Sequence, residues 1–262
     1  MRLAPVVAAV ALLPALAAAQ QPVALAVLGA MPVEVETLRA RLAHPVVRTI
    51  QGIPFVVGTL GGRPVVVVRA GVGKVSASVT TTLLLEHFRP RRVVFTGVAG
   101  ALDSTLALGD LVLASATAEH DLGMYGPNGM SSFGATPASD TVENPVRFPA
   151  DTALLRLARS VAQREAWPVR EGVVVTGDVF VANDTVRRTL RRRFPDALAV
   201  EMEGAAVAQV CWQTGRVPLL VVRSISDGAG AGAAETFDQF ARRAAARSSE
   251  LVARIVAELP AP

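Results

Sequence analysis

Short apolar runs recur along the chain, and each ends at a glycine or another small residue. Most of them lack a regular alternation of apolar and polar positions, which is typical of strands buried on both faces of a parallel sheet. The pattern predicts strands over residues 23–29, 65–71, 92–97, 110–115, 172–177, 197–201 and 217–224.

Segments with helical periodicity alternate with these strands. The predicted helices cover residues 34–42, 75–87, 152–164, 185–193, 204–213 and about 236–259, and Pro260 stops the last one. This alternation indicates an α/β fold with a central, mostly parallel or mixed sheet flanked by helices. The chain shows no internal repeat, so residues 20–262 are predicted to form a single domain.

Residues 119–149 interrupt the alternation. They are rich in Gly, Pro, Ser and Asn, and we expect a long loop there. Long loops inside compact domains are often functional.

The first nineteen residues differ from the rest. Arg2 precedes an apolar, Ala-rich stretch that ends in small residues around Ala19, the pattern of a secretory signal peptide over residues 1–19. An uncleaved anchor is the alternative, but Pro14 interrupts the stretch, and a bilayer requires roughly 20 apolar residues. We therefore expect a periplasmic or secreted protein with no stable membrane insertion after cleavage.

Composition narrows the class of protein further. Of the 262 residues, 51% are hydrophobic and 18% are charged, which indicates a globular chain and excludes disorder. The densest basic run, Arg191-Arg192-Arg193, has no interleaved aromatic residues for stacking on bases. We expect a solvated helix face there and no nucleic-acid partner. The single cysteine, Cys211, lies in an apolar stretch and is expected to be buried and unpaired.

Two further features fail as binding sites. The segment Gly71-Val72-Gly73-Lys74 suggests a phosphate-binding loop, but Val68 stands where such a loop needs its first glycine and Val75 where it needs Ser or Thr. A turn between strand and helix is the better interpretation. The three histidines are far apart in sequence and have no helix-spaced partners. We expect no metal and no organic cofactor.

Acidic side chains cluster at the predicted strand ends, where ligands bind in such folds. Glu201 and Glu203 follow one apolar run, and Arg223 and Asp227 come at the end of another. Asp227 alone would be a helix N-cap more often than not. Several neighbouring acids repel one another and lose hydration on burial, which is costly for stability alone. Their combination therefore indicates a reaction centre.

Short motifs follow one another in a specific order along the chain. They are Gly29-Ala30-Met31-Pro32-Val33-Glu34-Val35, Gly71-Val72-Gly73-Lys74-Val75 with Leu83-Leu84-Leu85-Glu86-His87, Thr96-Gly97-Val98-Ala99-Gly100 with Gly109-Asp110, Gly177-Asp178-Val179-Phe180, Val200-Glu201-Met202-Glu203, and Arg223-Ser224-Ile225-Ser226-Asp227. Over about residues 23–119 and 170–245 the chain resembles the 5'-methylthioadenosine/S-adenosylhomocysteine nucleosidases of the nucleoside phosphorylase superfamily. Each motif is weak alone, but their order and spacing together are highly specific.

The resemblance implies a cofactor-free homodimer that hydrolyses the N-glycosidic bond of an adenine 5'-thioribonucleoside, such as methylthioadenosine or S-adenosylhomocysteine, and releases adenine. By similarity, Glu34 activates the water, Asp227 protonates the purine, and Glu203 holds the ribose hydroxyls. Such a reaction needs a base on the water and an acid on the leaving group. A carboxylate also stabilises the positive charge that develops on the sugar.

The resemblance also implies a wider set of substrate-binding residues. Met202 packs on the sugar, Phe180 stacks on the base, and the backbone of Val181 reads the edge of the base. The remaining members are Glu201 and Arg223 beside the water, together with Ser226, Val98, Ala99 and Gly100. Phe237 either borders the 5' group or is a core residue of the last helix, and the sequence favours neither.

Three departures from the family pattern leave alternatives open. Val98 stands where the family commonly has Ser, and it offers no side-chain hydrogen bond to a nucleophile or a phosphate. Residues 121–149 do not fit the family pattern near the 5' group, and export is unusual for the family. A phosphate-dependent purine nucleoside phosphorylase and a non-catalytic nucleoside-binding protein are the alternative functions.

Overall fold

The computed structural model describes residues 23–127 and 129–260, so the predicted signal peptide, residues 1–19, lies outside the described residues. The strands are β1 Leu25–Gly29, β2 Ala43–Ile50, β3 Ile53–Leu60, β4 Arg63–Arg69, β5 Val93–Ala101, β6 Leu111–Glu119, β7 Gly123–Gly126, β8 Gly129–Ser132, β9 Phe148–Pro149, β10 Val169–Thr176, β11 Ala197–Glu201 and β12 Leu219–Asp227. The helices are α1 Pro32–Ala40, α2 Lys74–Phe88, α3 Thr152–Arg164, α4 Asp184–Arg193, α5 Gly204–Gln213 and α6 Ala233–Glu258.

One mixed sheet forms the centre of the fold, as predicted. Its strand order is β11-β10-β6-β12-β5-β1-β4-β3-β2, with β9 added on β6. The pairs β1–β4, β1–β5, β5–β12, β6–β10 and β10–β11 are parallel. β11 also pairs antiparallel with β5, so the sheet closes on itself. This closure brings the carboxyl ends of β5, β11 and β12 to one place.

Helices cover both faces of the sheet. α2 and α5 pack over one hydrophobic cluster, around Phe55, Phe95 and Leu84. α1, α3 and α6 cover a second cluster on the opposite face, around Leu25, Leu38 and Leu251. Both clusters exclude water from apolar side chains, the dominant favourable contribution to folding. None of the described helices is long and apolar enough to cross a membrane.

Outside the segment 119–149, two strands, β2 and β3, were absent from the prediction. β2 is an edge strand whose residues are exposed up to Thr49, and it pairs with β3 alone. Backbone hydrogen bonds, not burial, hold it in place. Hydrophobic periodicity, which reports burial, therefore gives little signal there.

Three predicted strands end too early. β5 continues to Ala101, β6 to Glu119 and β12 to Asp227, beyond the predicted ends at residues 97, 115 and 224. The prediction took Gly97 as the end of its strand. The structure shows a different reason for the glycine, since a Cβ there would lie 2.5 Å from Oε1 of Glu34. The glycine is a packing requirement inside the strand and does not mark its end.

The segment 119–149 is more structured than the predicted loop. It holds the hairpin β7–β8 and the short strand β9. Arg193 of α4 donates to the carbonyl of His120 at 2.8 Å and to Ser132 Oγ at 2.7 Å, so it ties the hairpin to α4.

The basic run on α4 is therefore not a purely solvated face, which corrects the prediction. Arg191 also donates to the carbonyl of Ala197 at 2.5 Å. Cys211 is buried and free, as predicted, and burial raises the pKa of its thiol to about 12.

Candidate active site

A cavity of about 170 Å³ opens where β5, β11 and β12 end. Parallel α/β sheets place their ligand sites at this edge. The lining residues come from seven parts of the chain: Ala30, Met31, Glu34, Val72, Val98, Ala99, Gly100, Phe180, Val200, Glu201, Met202, Glu203, Ser226, Asp227 and Phe237.

Glu34 enters the cavity from the first turn of α1. It occupies the third helical position, and Oε2 accepts the N–H of Met31 at 2.8 Å, a capping interaction. Oε1 accepts the N–H of Val98 on β5 at 2.9 Å. Burial raises the pKa of Glu34, although the charge of Arg223 and the backbone hydrogen bonds act in the opposite direction. A carboxylate fixed at both oxygens and with a raised pKa suits a general base.

Arg223 lies behind the cavity and not in its wall. Its Nη2 donates to Oε2 of Glu201 at 2.7 Å, and the pair is almost completely buried. Its Nη1 donates to the carbonyl oxygens of Phe95 and Val222, both at 3.1 Å. Both Nη atoms of Arg223 thus bond to protein acceptors, whereas its buried Nε has no protein partner. Removing one partner of such a buried pair is strongly destabilising.

Glu201 is a structural anchor for the segment that follows β11. It accepts the N–H groups of Glu203 at 3.2 Å and of Gly204 at 2.8 Å, and the hydroxyl of Thr176. These bonds fix the turn from β11 into α5. The neighbouring Glu203 is thereby aimed at the cavity.

Glu203 meets a different part of the chain. Its Oε1 accepts the N–H of Gly73, at the start of α2, at 2.8 Å. Burial, followed by the charge of Glu201, raises the pKa of Glu203 to about 8. The Gly73 N–H favours the ionised form but does not outweigh burial.

Asp227 closes the set of acids at the end of β12. Its Oδ1 accepts the N–H of Ala229 at 2.8 Å, and its Oδ2 accepts the hydroxyl of Ser226 at 2.9 Å. Burial raises the pKa of Asp227 against both hydrogen bonds. A carboxyl that keeps its proton more readily than usual suits a general acid.

Apolar side chains form the rest of the wall. The rings of Phe180 and Phe237 meet edge to face, with centroids 5.5 Å apart at 75°. Phe237 also packs with Val98 and Met31. Phe237 therefore borders the cavity and also packs on a small cluster of α6.

The cavity wall is acidic and apolar. None of the described residues that line it is Lys, Arg or His, and no group of three or more metal-binding side chains occurs among the described residues. The N–H of Gly73 and that of Lys74 point to carboxylates, Glu203 and Asp178. The glycine turn before α2 is therefore occupied by protein groups, consistent with its rejection as a phosphate loop.

The structure brings together all but two of the predicted site residues. Arg223 stands behind the wall, and the Val181 side chain lies in a hydrophobic cluster with Leu190 and Phe194. Sequence reasoning missed the wall positions Ala30, Met31, Val72 and Val200. All four lie in or beside motifs already noted, and this adjacency was the available signal.

Comparison with known proteins places the chain among purine nucleosidases. The sequence profile of the phosphorylase superfamily matches residues 24–257. The chain is 38% identical over 236 residues to a 5'-methylthioadenosine/S-adenosylhomocysteine nucleosidase of Bacillus thuringiensis (strain Al Hakam), with 90% of this chain and 99% of the relative covered.

Solved structures give the same result. The nucleosidase of Neisseria meningitidis, solved with methylthio-immucillin-A, superposes with a TM-score of 0.83 at 36% identity and covers 90% of this chain and 99% of its own. The futalosine hydrolase of Helicobacter pylori strain 26695 superposes with a TM-score of 0.81 at 33% identity, covering 90% and 97%.

Proposed function

The chain belongs to the 5'-methylthioadenosine/S-adenosylhomocysteine nucleosidase family of the phosphorylase superfamily, and we propose that it hydrolyses an adenine 5'-thioribonucleoside, most simply methylthioadenosine. It is an N-ribosyl hydrolase. The products are adenine and the free thiosugar.

The convergence of three buried acids on one cavity carries the proposal. Glu34, Glu203 and Asp227 come from α1, the β11–α5 turn and β12, and the pKa of each is raised. Buried acids with raised pKa values are costly to stability and concentrate at functional sites. Binding a neutral nucleoside would not require all three.

The three acids have separate roles in the reaction. Glu34 takes a proton from water, and the water oxygen bonds to C1' of the ribose. The bond from C1' to the base nitrogen breaks with its electron pair going to the base, and Asp227 gives that base a proton. Glu203 accepts hydrogen bonds from the ribose hydroxyls and faces the positive charge that develops on the sugar. Burial holds a proton on Glu203 up to a pH of about 8, and the positive charge on the sugar favours its ionised form.

The charge of the cavity favours water over phosphate as the second substrate. A phosphorylase needs cations around its anion, but no basic side chain lines this cavity among the described residues. The charge of Arg223 acts on Glu34, but this guanidinium is already paired with Glu201. Glu34 itself would repel phosphate.

The apolar wall favours an uncharged 5' group. Met31, Val72 and Phe237 line the cavity with hydrocarbon and offer no side-chain hydrogen-bond donor. A methylthio group gains free energy from such a surface, at about 25 cal/mol per Å² removed from water. One of the similar structures is a futalosine hydrolase, so futalosine is the second nucleoside to assay.

Adenine release from methylthioadenosine, measured with and without phosphate, tests the proposal. We expect release without phosphate and free methylthioribose as the second product. The Glu34→Gln variant is the matched control for a contaminating activity and should release none. Release that requires phosphate would make the protein a phosphorylase. Tight nucleoside binding without turnover would make it a binding protein.

Two further proposals concern the molecule's setting. We propose that residues 1–19 direct export and are removed, so that the enzyme acts on nucleosides outside the cytoplasm; the Ala-rich sequence supports this.

We also propose that the protein forms a homodimer. Val75 and Val79 of α2 are apolar but 75% and 48% exposed, and they follow Val72 of the cavity wall in sequence. Apolar residues exposed in this way are typical of a surface that a second subunit covers. Light scattering of the purified protein tests this, and a monomer would contradict it.

A further inference from the structure

A closed ring of three hydrogen bonds lies beside the cavity, outside the residues assigned to the reaction. The N–H of Lys74 donates to Oδ1 of Asp178 at 2.7 Å. The N–H of Asp178 donates to Oδ2 of Asp121 at 2.8 Å. Nζ of Lys74 then donates to Oδ1 of Asp121 at 2.8 Å. We refer to Lys74, Asp121 and Asp178 as the ring.

The ring joins three separate segments of the chain. Lys74 is the first residue of α2, Asp121 lies just after β6, and Asp178 lies just after β10. Both oxygens of Asp121 are used, one for the Lys74 ammonium and one for a backbone N–H. Such a set of bonds fixes the relative position of the segments more firmly than an isolated ion pair.

Lys74, the only lysine of the sequence, is well supported in this position. Its ammonium also pairs with Glu119 at 3.2 Å, and the two side chains are 19% and 12% exposed. Burial alone would lower the pKa of Lys74, but the hydrogen bond to Asp121 and the charge of Glu119 outweigh it and raise the pKa. Because both side chains are largely buried, solvent screens the Lys74–Glu119 pair less than an ordinary surface pair.

The ring bears on Glu203 through Gly73. Gly73 has a φ of 89°, and the oxygen of Asp178 in the ring lies 3.1 Å from where its Cβ would stand. The backbone of Gly73 is therefore held between the ring and the cavity. Its N–H points away from the ring and donates to Oε1 of Glu203 at 2.8 Å.

We propose that the ring positions the carboxylate that binds ribose: Lys74, Asp121 and Asp178 hold the first turn of α2 so that the Gly73 N–H fixes Glu203. The ring residues act through Glu203 and are positioning residues, not catalytic ones. This inference rests on the role proposed above for Glu203.

Comparing adenine with a nucleoside that cannot be cleaved tests the inference. Formycin A carries a ribose joined to an adenine-like base by a carbon–carbon bond, so a hydrolase binds it without turnover. In Asp121→Asn the side chain keeps its shape but loses its charge. We expect the Kd of formycin A to rise about tenfold, the scale of one weakened hydrogen bond to a charged group. The Kd of adenine, which has no ribose, should stay within about twofold.

Matched variants separate positioning from a general structural effect. Asp196→Asn makes the same change in an exposed ion pair with Arg147, away from the cavity, and should change neither Kd. Lys74→Met should behave like Asp121→Asn, whereas Lys74→Arg keeps the charge and should restore part of the affinity for formycin A. Calorimetric titration gives both dissociation constants.

The possible outcomes distinguish this inference from the proposed function. Equal loss of affinity for adenine and formycin A, or no loss for either, would overturn the ring's role. A wild-type protein that binds formycin A no more tightly than adenine would also overturn it, since Glu203 would then not bind ribose. A wild-type protein that binds formycin A tightly but releases no adenine from methylthioadenosine contradicts the proposed function alone, and the variants still decide the role of the ring.

Discussion

At the scale of single residues, the site combines charges that the fold holds at a cost. Each of Glu34, Glu203 and Asp227 accepts at least one backbone N–H, yet burial still raises its pKa. The hydrogen bonds fix the geometry of the acids without restoring the hydration that they lose. Buried acids with raised pKa values are expected where function, not stability, selects the side chain.

Removing either proposed proton-transfer group should abolish turnover. We expect Asp227→Asn and Glu34→Gln each to lower kcat/KM for methylthioadenosine by at least about 10²-fold, because each removes one proton transfer. Circular dichroism should show an intact fold. Asp196→Asn serves as the control and should keep full activity. Full activity in either site variant would mean that its role is wrongly assigned.

The raised pKa of Glu203 predicts how stability depends on pH. The folded protein holds this proton up to a pH of about 8, above the ordinary value of 4.5. The stability contribution is present below pH 4.5 and is lost as pH rises toward about 8. Glu203→Gln should therefore lose less free energy of unfolding than the wild type between those two pH values.

Urea denaturation at several pH values measures this difference. Burial lowers the pKa of His120, which has the opposite effect on the slope, so the comparison between variant and wild type isolates Glu203. Glu86→Gln, at an exposed position of α2, is the control and should follow the wild type. Identical slopes for Glu203→Gln and wild type would refute the burial of an abnormal acid at this position.

At the scale of elements, the site depends on the ends of strands and the first turns of helices. β5 and β12 extend past their small residues to carry Val98 and Asp227 into the cavity. α1 and α6 deliver Glu34 and Phe237 close to their N-termini. A strand end and a helix start are firm supports, and they hold side chains more accurately than a free loop would.

Phe237 should contribute to substrate binding more than to stability. Phe237→Ala removes the edge-to-face contact with Phe180, worth about 0.5–1.5 kcal/mol beyond burial, and part of the apolar cavity wall. We expect KM for methylthioadenosine to rise roughly tenfold, with a small change in Tm because the side chain is half-buried. Phe240→Ala, one turn later on α6, is the control. Equal kinetic effects of the two substitutions would place Phe237 in the core.

At the scale of the whole molecule, closure of the sheet creates the site. The antiparallel pairing of β11 with β5 joins Val200 to Gly100, and β12 joins Asp227 to the same glycine. Gly100 fits between these strands because it has no side chain. A Cβ there would lie only 2.7 Å from Oδ1 of Asp227. The catalytic edge is therefore a property of the closed sheet and not of any one strand.

The proposed export predicts a specific mature chain. In a cell that secretes the protein, we expect the periplasmic or external form to begin at Gln20, as mass spectrometry of the intact protein would show. Leu12→Arg places a charge in the apolar run and should retain the protein in the cytoplasm, because a signal peptide needs an uninterrupted apolar core. A full-length chain in the soluble cytoplasmic fraction of the wild-type strain would contradict the proposal.

Much of the fold could be predicted from local pattern. α3 and α5 have the predicted bounds, and every predicted strand and helix is present. The signal fails where burial is absent, as in the exposed edge strand β2. It also fails where small residues serve packing, as Gly97 does beneath Glu34.

The type of fold, the order of elements and the acids available for chemistry could all be predicted from the sequence, because burial periodicity and motif spacing are local properties of the chain. Which of these groups meet depends on the tertiary fold. The bond from Gly73 to Glu203 spans 130 positions, and the ring joins Lys74 to Asp121 and Asp178 across 47 and 104. Hydrogen bonds of this kind leave no periodic trace in sequence, since their partners are set by how the sheet closes and the helices pack upon it.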